Sequence, residues 1–164
     1  MNFRFTNDFS LSKLDEIVDY LRGPRIWFPK ICYPDYFDWL QKIHSEIKSE
    51  QKRALIALDH FELIGVIIYQ KHKTDKDSLE LKNLTVRPDK RGRHIASFLL
   101  KNAEVEGLSE FKSKHIVCDT KQDNMDVRLF LFKNNYKSKR IEDLYGLKSG
   151  LDVVYQKDIN LMQK

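Results

Sequence analysis

Residues 80–103 read ELKNLTVRPDKRGRHIASFLLKNA, and the two halves of this stretch have different periodicities. Leu81, Leu84 and Val86 make a β-prone apolar run that stops at Pro88, whereas Ile95, Phe98, Leu99 and Ala103 recur at helical spacing. The stretch is therefore a strand, a turn, a cationic loop and an amphipathic helix. The loop Arg87-Pro88-Asp89-Lys90-Arg91-Gly92-Arg93-His94 holds four Lys or Arg residues and one Gly. It runs into a helix N-terminus, where unpaired N–H groups and the positive end of the macrodipole favour negative charge. A phosphorylated, anionic ligand is expected there.

Working outward, Arg91-Gly92-Arg93-His94-Ile95-Ala96 after Leu84-Thr85-Val86-Arg87-Pro88 resembles the acyl-CoA pyrophosphate motif of the GNAT acetyltransferases, Q/R-x-x-G-x-G/A. Arg91 matches its first position and Ala96 its last. His94 stands where the fourth position usually has Gly, and it is read as already helical, with a negative φ that needs no Gly. The resemblance implies that residues 91–96 hold the CoA diphosphate. It also implies that the motif strand parts from the next one, so that Leu84, Thr85 and Val86 offer main-chain groups to the pantetheine arm.

The rest of the chain suits that reading. Its 164 residues fit one domain, 1–164, and 41% apolar content is enough for a full core. No apolar run approaches the ~18 residues of a membrane span, and the first ten residues lack the apolar run of a signal peptide, so a cytoplasmic protein is expected, with no membrane partner. Cys32 and Cys118 are too few and isolated for a disulfide framework or zinc site and read as small buried hydrophobes. The five histidines have no metal-ligand spacing, so no metal is expected. The net charge of +5 is spread along the chain like a solvated surface; nucleic acid is not the favoured partner.

In chain order, Asn2–Thr6 reads as a short strand and Ser10–Leu21 as a helix capped by Ser10 or Ser12 and ended by Gly23-Pro24. An aromatic loop over 25–34 precedes a second helix from Asp35. Strands follow at Ala54–Leu58 and Leu63–Tyr69, apolar enough to be covered on both faces. After the central stretch come a buried strand His115–Cys118, a helix Asn124–Asn134 and strands at Tyr136–Ile141 and Leu151–Gln156. The expected class is α/β: a GNAT-like mixed, mostly antiparallel sheet flanked by helices on both faces.

The segment from Asn124 to Tyr136 is similar to a second GNAT pattern, N-x-x-A-x-x-F-Y-x-x-x-G-F, with Asn124 first, Val127 for the Ala and Phe130 for the aromatic. Asn124 is then both a helix cap and a cofactor contact. Leu131 stands where the family often has a Tyr that protonates the departing thiolate, and leucine cannot donate a proton. The resemblance points to Glu80 as the catalytic base; otherwise Glu80 is a solvated strand-end carboxylate. Trp27, Phe28 and Tyr33 lie in the connection that commonly helps form the acceptor pocket and are candidates for substrate binding.

What the resemblance implies is an acetyl-CoA-dependent N-acetyltransferase that moves an acetyl group to a primary amine on a small molecule or peptide. One alternative is a CoA-binding sensor or interaction module that has lost turnover. Another is a toxin-like enzyme acting on aminoacyl-tRNA.

Overall fold

The computed structural model describes residues 3–23, 33–146 and 149–159. The elements run β1 (Phe3–Thr6), α1 (Leu11–Arg22), α2 (Tyr36–Lys48), β2 (Arg53–Asp59), β3 (Glu62–Lys71) and β4 (Ser78–Val86). After a 3₁₀ turn at Pro88–Lys90 come α3 (Ile95–Ser109), β5 (His115–Lys121), α4 (Met125–Lys133), β6 (Lys137–Glu142) and β7 (Asp152–Asp158). The seven strands form one sheet in the order β1-β2-β3-β4-β5-β7-β6. Every neighbouring pair is antiparallel except β4 and β5, which are parallel because α3 carries the chain back across the sheet.

Local chemistry fixes the helix starts. Ser10 caps α1 by accepting from the Lys13 amide, and Asn124 caps α4 by accepting from the Val127 amide. Helices cover both faces. Leu14, Ile17, Leu21, Leu40 and Ile43 of α1 and α2 pack on Ala54, Ile56, Leu58, Val66 and Ile68. On the other face Ile95, Leu99, Leu100 and Ala103 of α3 and Leu131 of α4 pack on Ile64, Ile67, Leu79, Leu81, Ile116 and Val153. Phe98, expected on the buried stripe of α3, is half-exposed and stacks on Phe5, with ring centroids 4.0 Å apart.

Gly65 sets how closely α3 approaches the sheet. A Cβ there would lie 3.2 Å from a Leu99 methyl, 3.3 Å from Ile95 Cγ2 and 3.4 Å from the Thr85 carbonyl oxygen. Valine adds two methyl groups beyond that point and must push α3 off β3. Overpacking of this kind costs about 1–3 kcal/mol. Gly65→Val is therefore expected to lower Tm by about 3–10 °C in a scanning-calorimetry melt.

Two features of β4 shape the middle of the sheet. Its ladder to β5 has three rungs, Ser78 to His115, Leu79 to Ile116 and Glu80 to Val117, and then stops. Its register with β3 slips: Tyr69 faces Leu81 while Ile68 faces Asn83, which makes Lys82 an extra, bulged residue. The bulge switches the side-chain phase. Leu79 and Leu81 point to the α3 face before it, and Leu84 and Val86 do so after it. A bulge also sharpens twist, so β4 bends away while β5 stays held to β7 along its whole length, His115–Asp158 to Lys121–Asp152. A notch opens between Leu81–Val86 on one side and Cys118–Lys121 on the other.

Candidate active site

Glu80 occupies the last rung before the notch opens, on the face away from Leu79 and Leu81. Gln70 Nε2 donates to its Oε2 at 2.7 Å and Lys82 Nζ to its Oε1 at 2.9 Å. Burial acts to raise its pKa, but the charge and hydrogen bond of Lys82, with the Gln70 bond and the nearby His72, outweigh it. The net shift is downward. Glu80 is consequently ionised at neutral pH and able to accept a proton; it is no freely solvated strand-end group.

The loop after β4 is more self-neutralised than its composition suggests. Arg87 is buried, holds both Asp89 oxygens at 2.7 and 2.9 Å and pairs with Glu62. Lys90 Nζ donates to Asp59 Oδ2 at 2.7 Å. These two cations anchor the loop to β2, β3 and the 3₁₀ turn. Arg91 donates from Nε to the Val86 carbonyl at 3.1 Å, lying across the end of β4. Arg91, Gly92, Arg93 and His94 are exposed at the start of α3, whose first N–H groups lack partners inside the helix.

His94 corrects the sequence reading. It is the N-cap of α3 with φ 60° and ψ 10°, left-handed backbone, and its side chain makes no capping bond. The usual Gly at this place is thus a conformational requirement, and His94 meets it under strain of about 1–2 kcal/mol. His94→Gly is expected to leave Tm unchanged or raise it, while His94→Val, β-branched and least suited to positive φ, lowers it by several degrees. Parallel thermal melts of the two variants test this.

The face of the notch shared with α1 and α2 carries residues that sequence reading passed over. In β5, Ile116 and Cys118 belong to the α3-side core, so Val117, Asp119 and Lys121 alternate to the opposite face with Glu80. Tyr145, in the connection from β6 to β7, donates its hydroxyl to Asp119 Oδ2 at 3.2 Å. Lys121 is buried, donates to Asp152 Oδ2 at 2.9 Å and to Ser149 Oγ at 3.1 Å, and lies 5.3 Å from the ring centre of Tyr33 and 4.9 Å from that of Tyr145. Tyr33 and Tyr145 meet edge to face at 5.5 Å. Tyr33, a predicted acceptor-site residue, thus joins this wall, while Trp27 and Phe28 lie outside the described residues.

The strand was expected to end at Cys118, where the apolar run Ile116-Val117-Cys118 stops, but β5 runs on to Lys121, with partly and fully buried residues alternating as far as Thr120. No polar–apolar alternation in the sequence marked that extension, and Tyr145 had no signal either, because only the fold brings its turn to β5.

Three other candidates are placed. Leu131 is buried in the α3-side core and offers no proton. Tyr136, weighed as a substitute acid, is also buried, its hydroxyl on Glu104 Oε1 at 3.2 Å. Burial and Glu104 push that phenol far above its usual pKa. Cys118 is buried, and burial likewise pushes its thiol up, as for a packed hydrophobe rather than a nucleophile. Among the described residues no cluster of His, Cys, Asp or Glu could hold a metal, and no helix is long and apolar enough to cross a membrane.

A strand notch opening onto a Gly-containing loop and a helix N-terminus suits a nucleotide-bearing thioester, and sequence comparison decides the matter. The model of the acetyltransferase (GNAT) family matches residues 14–133. This chain belongs to the GNAT family. As a member of an acetyltransferase family it is an acyltransferase. Comparison with curated protein sequences gives no match. Solved GNAT structures share the fold over nearly the whole chain. An N-acetyltransferase from Staphylococcus aureus Mu50 superposes with TM-score 0.77 at 17% identity, covering 98% of this chain and 100% of that one. The PaiA N-acetyltransferase from Thermoplasma acidophilum, solved with coenzyme A, gives 0.72 at 20% identity over 96% and 99%. An aminoglycoside 6'-acetyltransferase type Ii gives 0.73 at 21% identity over 98% of each chain.

Proposed function

We propose that this GNAT chain, as a single domain, transfers the acetyl group of acetyl-CoA to a primary amine by direct attack in a ternary complex. The observation that carries the reading is Glu80: an ionised carboxylate on the last rung before β4 and β5 part. Residues 91–96 would hold the diphosphate through the amides opening α3, with Arg91 and Arg93 adding charge. Leu84, Thr85 and Val86 would pair with the pantetheine arm along the strand edge that β5 leaves, and Asn124 would reach the cofactor from the cap of α4. Strand groups that have lost a ladder partner need another, which favours such pairing.

An amine is mostly ammonium at neutral pH and must lose a proton to attack. Glu80 would take it, directly or through one water; once nitrogen has bonded to the acetyl carbon a second N–H proton is far more acidic and is lost to water as the C–S bond breaks. With Leu131 in place of a Tyr donor, the thiolate would leave unassisted by that residue or be protonated by water. A CoA thiol is acidic enough for this, and alignment of the reactants alone supplies a large rate factor.

The test combines an amine panel, thiol release and mass spectrometry of the protein after incubation with acetyl-CoA alone. Direct attack expects acetylated amine and no acetylated protein; a stable acetyl-enzyme would refute the ternary complex. Tight CoA binding without transfer to any amine would favour the sensor reading, which Leu131 motivates. The tRNA reading has less support at the wall, where Glu80 and Asp119 stand against Lys82 alone once the buried Lys121–Asp152 pair is set aside, the wrong balance for a polyanion.

A further inference from the structure

Glu80 and Lys82 bond to one another, and so do Lys121 and Asp152. Asp119 is left over. It is half-buried, its hydrogen-bond partner is the neutral Tyr145 hydroxyl, and no Lys or Arg lies within ion-pair distance of it among the described residues. A carboxylate taken out of water without a counter-cation is costly unless a ligand supplies one. The surroundings agree: burial first, then Asp152 and Glu80, raise its pKa, and Lys82 and the Tyr145 bond do not fully offset them.

Asp119 also has a defined place relative to the proposed base. Val117 is the rung partner of Glu80, and Asp119 lies two residues further along β5 on the same face. At strand spacings the two carboxylate-bearing residues are about 8 Å apart at Cα, more as the notch widens. Resting on the acetyl-transfer reading, we infer that Asp119, oriented by Tyr145, binds a second ammonium group on the acceptor. The acceptor is then a diamine or a larger polyamine. One nitrogen faces Glu80 for acetylation and another, several bonds away, stays protonated on Asp119. The Tyr33 and Tyr145 rings flank the carbon chain between them.

The experiment is calorimetric titration of CoA-loaded protein with 1,4-diaminobutane and, separately, with 1-aminobutane. The diamine is expected to bind about ten- to hundredfold more tightly, as a charge-assisted hydrogen bond would give. Asp119→Asn should abolish most of that preference, and Tyr145→Phe should reduce it. Should Asp119→Asn fail to fold, Asp119→Ser gives the same readout. Equal affinity for the two amines, heat from neither, or a preference that survives both Asp119 variants would overturn the inference. Because binding is read without turnover, a diamine preference with no acetyl transfer refutes the catalytic reading and leaves this one standing.

Discussion

Glu80→Gln is expected to lower kcat by about 10²- to 10⁴-fold, the range for loss of a positioned acid or base, while the affinity for CoA holds. Glutamine keeps the shape and can still meet Gln70 and Lys82, but it cannot take a proton. The pH profile separates this role from a structural one. Because Lys82 and Gln70 keep the Glu80 carboxyl below the usual carboxylate range, the rise of kcat/KM between about pH 5 and 8 reports the acceptor amine and not Glu80. Lys82→Met removes a positive charge, which disfavours the ionised carboxylate and raises the Glu80 pKa. The limb that belongs to Glu80, below that window in the parent enzyme, should move up in that variant while the amine's limb stays where it is. A Glu80→Gln enzyme with near-normal kcat, or a Lys82→Met profile unmoved, would remove Glu80 from the mechanism.

Asp152→Ala has the largest expected effect on stability. Asp152 is fully buried and Lys121 is 4% exposed, so deleting the carboxylate leaves a buried ammonium with only Ser149, the Gly150 carbonyl and two ring faces. Breaking a buried pair from one side costs about 3–5 kcal/mol. For a chain of this size that corresponds to a fall in Tm of about 10 °C or more, read in a thermal melt. The double variant Asp152→Ala with Lys121→Met removes the stranded charge and should recover much of the loss. A single variant as stable as the parent would mean that the pair contributes nothing.

The strand, turn, loop and helix proposed to hold the cofactor could be read almost entirely from local sequence. Strand, turn, loop and helix follow one another within residues 80–103, and each is set by neighbours a few positions away. Even the bulge left a trace, since Leu81 to Leu84 is a step of three where a regular strand takes two. The same local reading failed at His94, whose backbone is set by how α3 must enter the sheet. It also overstated the charge of the loop, because the carboxylates that hold Arg87 and Lys90 include Glu62 and Asp59, far away in sequence.

The order of elements, both helix caps, the motif loop and Glu80 were determined by the chain alone, because capping, periodicity and turn chemistry act over a few residues. The opening of the notch, the left-handed His94, and the meeting of Asp119, Lys121, Tyr33, Tyr145 and Asp152 were decided only by the tertiary structure. Strand register and the pairing of buried charges join residues dozens of positions apart, and no short window of sequence contains both partners.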